Sequence, residues 1–328
     1  MRMQAWKAGG RVLVQSLITV FLIASFNFVL INFAPGDLAD VMAGMSGSAS
    51  ESYMAEIRQK YGLDQPYYWR YANYLLDLLQ GNFGFSARYN APVFDVILER
   101  LPATLLLLIS SIGMAFILGL AGGVIAARRV NSWVDAVISA LALLAYATPL
   151  FWLGLMLNTL FALKLGWLPT GGYRTVGLGG NGLVIALDIL RHMILPAMTL
   201  AFFYLAVFAK ITRGAILEVQ DMDYVRTARA KGLHAGRILV RHVMRNAMLP
   251  IVTALGIQIG AILGGSIVVE TVFGWPGLGR LAYDAVMQRD VRLLLAILLL
   301  SSILVIAVNL IVDMLYRLLD PRISEGRT

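Results

Sequence analysis

Residues 293–316, LLLAILLLSSILVIAVNLIVDMLY, carry a single charged side chain, Asp313, near their end. A helix needs roughly 20 predominantly apolar residues to cross the hydrocarbon core of a bilayer, so this run reads as a spanning helix. Five more runs of comparable length lie upstream, near 11–33, 102–126, 134–162, 192–212 and 248–270. The second opens Pro102-Ala103-Thr104-Leu105 and closes on Arg128-Arg129. The whole chain of 328 residues is 59% hydrophobic and 14% charged, whereas soluble domains carry about 25% charged residues. Too few charges remain to cover a water-facing surface. The expected fold is an all-α integral membrane protein of about six transmembrane helices.

A net charge of +8 raises the possibility of a nucleic-acid partner, but its distribution follows the spans. Arg2, Lys7 and Arg11 precede the first run, Arg128 and Arg129 follow the second, and a basic cluster runs from Lys210 to Arg245. The alternate loops differ: residues 34–100 hold eight acids and five bases, and 271–291 are balanced. The positive-inside bias places both termini and the 210–245 loop in the cytoplasm, which an even number of spans allows. No nucleic acid is needed to explain the charge. Cysteine is absent, which removes disulfides, thiolate metal sites and a Cys nucleophile. His234 and His242 are separated by a turn signal and His192 lies at the opposite face, so no metal site is expected. The first run lacks a small-x-small cleavage site before Pro35 and reads as an uncleaved span rather than a signal peptide.

The first outer segment carries helix punctuation. Ser50 caps a helix through Lys60 that Gly62 ends. Pro66 opens a second with Tyr67, Tyr68, Trp69, Tyr71 and Tyr74, stopped by Gly81, and Pro92 opens a third short helix to Arg100. Its aromatics suit the headgroup level, a protein partner, or the core of a small cap. The outer stretch 163–191 is rich in glycine and is expected to lack regular structure. Residues 1–100 are thus read as the first span with its extracytoplasmic helical segment, and 101–328 as a five-helix core with a cytoplasmic loop at 213–248.

That loop is neither apolar nor loop-like. Asp223-Tyr224-Val225-Arg226-Thr227-Ala228-Arg229-Ala230-Lys231 has helical composition, with an acid first and a base last, as the helix dipole favours. Gly232 follows as a natural terminator with positive φ. A second helical run, Gly236 to Ala247, carries Arg237, Arg241, His242 and Arg245 before Leu249-Pro250 starts the next span. Two uses suit such an element: a rigid foot in a groove of a soluble partner, or a basic helix lying on anionic lipid.

The sequence from Asp223 to Leu233, with Arg241-His242 and Arg245-Asn246-Ala247 before Leu249-Pro250, closely resembles the cytoplasmic coupling loop of ABC importer permeases. It looks most like the first, B-type permease of the dipeptide/oligopeptide/nickel branch. The general importer signature places Glu-Ala-Ala three residues before Gly; here Arg226, Thr227 and Ala228 precede Gly232, a departure that also resembles this branch. Tyr61-Gly62-Leu63-Asp64-Gln65-Pro66, Gly81-Asn82-Phe83-Gly84-Phe85-Ser86, the stretch from Gly264 to Arg280 and the ending Leu319-Asp320-Pro321-Arg322-Ile323 agree, in the expected order. The resemblance implies a chain without catalytic residues that forms half of a pore with a homologous, different second permease. Two cytoplasmic ATP-binding subunits would drive it, and an extracytoplasmic solute-binding protein would deliver a peptide or similar small solute. No G-x-x-x-x-G-K-[ST] phosphate loop is present, so ATP and its Mg²⁺ are expected on the partners and no cofactor on this chain. By the same resemblance Asp223, Tyr224, Arg226, Thr227, Ala228, Arg229, Lys231 and Gly232 are the candidate ATPase contacts, in the plasma membrane of a bacterium.

Other candidates come from the residues themselves. Gly256, Gly260 and Gly264 share one helix face that allows close approach, either within the chain or to the second permease. Gly113, Gly119, Gly122 and Gly123 do the same in the second span. Glu270 ends an apolar span, where an acid is usually paired or faces water; it could hold an outer gate with Phe273 and Trp275, or pair with Arg280. Gln258, Asn158 and Thr159 are polar within spans. A membrane-embedded enzyme would need convergent acids or metal ligands within the spans, which offer almost none. An ATP-independent secondary transporter, the alternative reading, should show inverted repeats or broken spans with ionisable residues near the midplane, and neither is evident.

Overall fold

The computed structural model describes residues 2–33, 54–56, 59, 64–86 and 88–319. The expected helix from Ser50 to Lys60, the Tyr61-Gly62-Leu63 part of the outer motif and the Asp320-Pro321-Arg322-Ile323 ending lie outside these residues, apart from helical positions at 54–56 and 59.

The chain is a succession of helices: α1 (Arg2–Phe33), α2 (Tyr67–Leu79), α3 (Val93–Arg128), α4 (Trp133–Ala147), α5 (Leu150–Leu157), α6 (Gly182–Gln220), α7 (Asp223–Ala230), α8 (Ala235–Arg237), α9 (Met244–Val272), α10 (Leu278–Met287) and α11 (Val291–Leu319). Wider π-helical stretches extend α5 over Asn158–Lys164 and join α8 to α9 over Ile238–Val243. The strands β1 (Phe85–Ser86) and β2 (Ala91–Pro92) pair antiparallel between α2 and α3. Among the described residues five helical segments are long and apolar enough to span, and a bent pair, counted as one span, makes six.

Four elements depart from the expected pattern. Pro92 sits in β2 and opens no separate helix; α3 begins at Val93 and runs through Pro102 to Arg128. The third span is broken: α4 and the α5 segment meet at 106°. Pro149 disfavours the helical region at the residue before it, and Thr148 is extended at φ −80, ψ 126. The break carries no acidic, basic or histidine side chain between Leu143 and Leu155. The fourth span starts at Gly182, within the stretch expected to be irregular, because Asn181 caps it by accepting a hydrogen bond from the Val184 N–H at 3.1 Å. Finally, the second arm of the 213–248 loop is no independent helix. It runs through the π-helical stretch into α9, and Pro250 lies inside α9 rather than at its start.

The chain divides into two compact units, residues 1–100 with 281–306 and residues 101–280 with 307–328. In the first, Asn27 donates to the Leu295 carbonyl at 3.0 Å, tying α1 to α11 where a lone amide in lipid would otherwise be costly. In the second, α6 is the central helix, packed on α4, α5 and α9. Its core holds Leu107, Leu195, Leu200, Phe208, Phe273 and Trp275. Association of helices in lipid depends on close packing, and two span-two glycines supply it. A Cβ on Gly119 would lie 2.6 Å from Phe208 Cβ, and one on Gly123 would lie 2.5 Å from Thr212 Cβ. By contrast a Cβ on Gly113 would meet nothing within 4 Å.

Candidate functional site

Helix α7 is short and mostly polar, so its position depends on the few apolar residues it can bury. Val225 and Ala228, three apart and therefore on one face, are buried at 0% and 5% exposure. They pack with Ala215, Ile216 and Val219 of α6 and with Ile238, Val243 and Ala247 beyond the turn. A second tie is polar: Asn246 Nδ2 donates to the Tyr224 hydroxyl at 2.5 Å, and that hydroxyl donates to the His242 carbonyl at 3.3 Å. The helix is thereby clamped to the foot of α9 from two sides.

The opposite face is presented outward. Asp223, Arg226, Thr227, Arg229 and Lys231 are all exposed. Arg226 approaches Asp223 at 3.9 Å, but a pair this exposed contributes little and leaves the guanidinium available. Thr227 turns its hydroxyl back to the Asp223 carbonyl at 2.9 Å. Ala228 differs from the rest of the expected contacts: it belongs to the buried face, packed against α6. Lys231 closes the helix, and Gly232 follows at φ +75 with its N–H donating to the Arg229 carbonyl at 2.9 Å. The Leu233 N–H reaches back to the Ala228 carbonyl at 3.4 Å, so the last carbonyls of α7 are satisfied by a left-handed turn. Beyond it, His234 Nδ1 accepts from the Gly236 N–H at 3.2 Å and starts the next helical segment.

At the far end of α9, Glu270, Phe273 and Trp275 are buried at 0%, 2% and 0% exposure. Glu270 accepts from the Thr104 hydroxyl at 3.0 Å and from the backbone N–H of Arg280 at 2.9 Å; the Gly279 N–H and the Ser266 hydroxyl also bond to it. The expected pairing with Arg280 is thus made by the main chain, not by the guanidinium. Thr104 in turn accepts from the Leu278 N–H at 2.6 Å, and Trp275 Nε1 donates to the Ala103 carbonyl at 2.9 Å. Gly277 is required because a Cβ there would overlap the Glu270 carboxyl group. The Gly172 N–H bonds to the Phe273 carbonyl at 2.8 Å, and Tyr173 meets Trp275 edge-on at 5.0 Å. The result is a knot in which one buried carboxylate organises the turn between α9 and α10 around the start of the spanning part of α3.

The remaining candidates are dispersed. Gln258 and Gly260 are half-buried. Gly256 faces α11, where a Cβ would lie 2.8 Å from Val312 Cγ1, whereas a Cβ on Gly264 would meet nothing within 4 Å. At least one end of that glycine face is therefore used within the chain. Asn158 donates to the Thr170 carbonyl at 2.6 Å. Among the described residues no group of three or more His, Cys, Asp and Glu is placed to hold a metal ion.

One site escaped the sequence reading. Arg213 of α6 grips Asp135 of α4 with two bonds, Nε to Oδ1 at 2.7 Å and Nη2 to Oδ2 at 2.8 Å. The Asn131 N–H adds a third at 3.1 Å, from a residue at φ +59. Ser132-x-x-Asp135 before an apolar run is a helix-start signal, and it would have located the acid; nothing in the sequence points to its partner.

Residues 119–325 match the family described as the binding-protein-dependent transport system inner membrane component, and residues 10–108 match its N-terminal membrane component. The oligopeptide transport system permease protein AppB of Bacillus subtilis is 41% identical over 303 residues, covering 92% of this chain and 94% of that protein. The glutathione transport system permease protein GsiC of Escherichia coli strain K12 is 41% identical over 305 residues, covering 93% and 94%. Among solved structures, an inward-facing MetNI methionine ABC transporter chain superposes with a TM-score of 0.56 at 18% identity, over 69% of this chain and 96% of that one; that likeness is one of fold. The chain therefore belongs to the binding-protein-dependent transport system inner membrane components and is an ABC importer permease subunit, a transport subunit rather than an enzyme.

Proposed function

We propose that this permease forms half of a translocation pathway for peptides that is driven by two ATP-binding subunits, one of which docks on α7. The observation that carries the reading is the division of α7 into a buried face, Val225 and Ala228, and an exposed face bearing Arg226, Arg229 and Lys231. A helix lying on lipid would need its apolar side free for the bilayer. Here that side is consumed by α6 and α9, and what remains is a charged, thinly projecting foot suited to a protein groove. Gly232 ends the foot in a fixed turn. In this reading α7 and both chain termini are cytoplasmic, and the Glu270 knot holds the outer side closed. A homologous but different second permease completes the pore, with Gly264 as its candidate contact, and an extracytoplasmic binding protein selects the solute. Residues 101–328 are the pore-forming core with the coupling loop at 213–248, and 1–100 a peripheral attachment. Peptide as cargo is supported by the oligopeptide and glutathione systems to which AppB and GsiC belong by name.

The test is purification of the tagged chain in mild detergent from its native host, with mass spectrometry of everything retained. Recovery of a second permease and P-loop ATPases, with the ATPases alone lost when Arg226, Arg229 and Lys231 are all replaced by Glu, is the expected result. Recovery of the chain alone, transporting in liposomes without ATP, would overturn the proposal in favour of a secondary transporter.

A further inference from the structure

Helix α2 carries an apolar face that its own unit does not cover. At about 100° per residue, Tyr71, Tyr74, Leu75 and Leu78 fall on one arc, and Tyr68, Trp69, Leu76 and Leu79 on the arc beside it. The first arc lies on α1: the Tyr71 and Ser25 hydroxyls are 2.6 Å apart, and the Phe28 ring is 5.1 Å from that of Tyr71 and 5.6 Å from that of Tyr74. Burial there pushes the Tyr74 hydroxyl up to about 12, with Tyr71 adding to the shift. The second arc is open: Tyr68 is 68% exposed, Trp69 56%, Leu76 54% and Leu79 85%. Arg70, Asn73 and Asp77 occupy what is left of the circumference and line a cleft of about 790 Å³, which Leu76, at the boundary of the two arcs, also borders.

The contact with Ser25 fixes the depth of this helix. The apolar span of α1 is Val14–Asn32, so Ser25 lies seven residues, or about 10 Å, inside its end. Tyr71 and Tyr74, meeting α1 at Ser25 and Phe28, bring the apolar face of α2 to between about 6 and 10 Å inside the end of that apolar run. Amphipathic helices in the interface bury their apolar face about 5–10 Å into the headgroup and acyl boundary, a range this contact matches. The open arc is also uncharged, combining two polar-tipped aromatics with two leucines, as residues at the headgroup level do.

We propose that α2 is an interfacial membrane anchor, lying in the bilayer leaflet at the C-terminal end of α1 with Tyr68, Trp69, Leu76 and Leu79 in contact with phospholipid. Arg70, Asn73 and Asp77 face the headgroups and the cleft. That this leaflet is the outer one rests on the orientation proposed above; the depth does not.

The chain has no cysteine, so a single introduced thiol can be labelled uniquely. Leu76→Cys, Leu79→Cys, Asn73→Cys and Asp77→Cys, each spin-labelled on the purified full chain, would be placed in phosphatidylethanolamine–phosphatidylglycerol vesicles. Oxygen should relax the labels at 76 and 79 more strongly than a water-soluble nickel chelate, and the order should invert at 73 and 77. Nickel dominating at all four positions would place α2 in water and overturn the proposal. Labels at 76 and 79 immobilised and shielded from both agents would also overturn it, in favour of a protein cover. Reaction of Asn73→Cys with an impermeant maleimide from one side reports the orientation separately, so the two readings fail distinguishably.

Discussion

Replacing Gly232 isolates one physical quantity. Its φ is +75 and a Cβ there would meet nothing within 4 Å, so a substitution acts through backbone strain and not through a clash. The left-handed region costs an ordinary L-residue roughly 1–2 kcal/mol, less for Asn, which visits it several-fold more often, and more for a β-branched side chain, for which it is an outlier. A strain of 1–2 kcal/mol shifts a two-state population about 5–30-fold. Uptake is therefore expected to rank Gly, Asn, Ala, Val, with Gly232→Asn near wild type, Gly232→Ala down by up to that factor, and Gly232→Val nearly silent. Membrane abundance should not change, because Val225 and Ala228 still bury against α6 and the foot of α9. The assay is ATP-driven peptide uptake into vesicles containing the assembled transporter, normalised to permease by immunoblot, with ATPase turnover measured in parallel. Normal uptake by Gly232→Val would refute the requirement for a left-handed turn. Equal loss in Gly232→Asn and Gly232→Val would refute the ranking and point to a partner that needs bare backbone at this position.

Three further outcomes are expected. Glu270→Gln keeps one oxygen for the Arg280 N–H but turns its NH₂ on the Thr104 hydroxyl, which already accepts from the Leu278 N–H, and should lower the thermal unfolding temperature of the detergent-purified protein, through loss of about 1–3 kcal/mol. Gly123→Ala places a methyl 2.6 Å from the Ala209 carbonyl oxygen and should destabilise the α3–α6 contact by about 1–3 kcal/mol, while Gly113→Ala in the same helix should be neutral by the same thermal assay. Asp135→Asn loosens the two-bond grip of Arg213 and should reduce uptake without loss of membrane insertion; the exchange Asp135→Arg with Arg213→Asp should restore part of it.

Most of the architecture was legible because the bilayer imposes a length on apolar runs, and because Gly232 stands where a helix must end. What the sequence concealed has physical causes. Hydropathy registers composition and not direction, so the turn at Thr148-Pro149 reads as one span although the proline carries a local signal against continuity. The early start of α6 was masked by Asp188, Arg191 and His192, which lower the apolar character of a segment that Asn181 nonetheless caps. Pro250 suggests a helix start, yet in a spanning helix it is tolerated mid-course, and the 213–248 loop consequently has one free-standing helix rather than two. The knot was half visible: Glu270, Phe273 and Trp275 were singled out, but Thr104, the hydroxyl that meets Glu270, is 166 residues away. The exposed side of α7 was read residue by residue, and Ala228 was misassigned because a family motif does not say which face a position occupies.

Past its proline, α9 runs unbroken from Ile251 to Val272, a rod of about 33 Å. Asn246, which clasps Tyr224, lies on the other side of that proline, and Glu270 sits at the upper end of the rod. Above Pro250 the helix is uninterrupted, so this part can only turn as one piece. A tilt of about 5° at the base sweeps the tip sideways by about 3 Å over this length, more than a hydrogen bond can stretch and still hold. A tilt of that size about Pro250 would therefore be enough to pull the Glu270 side chain away from the donors that hold it.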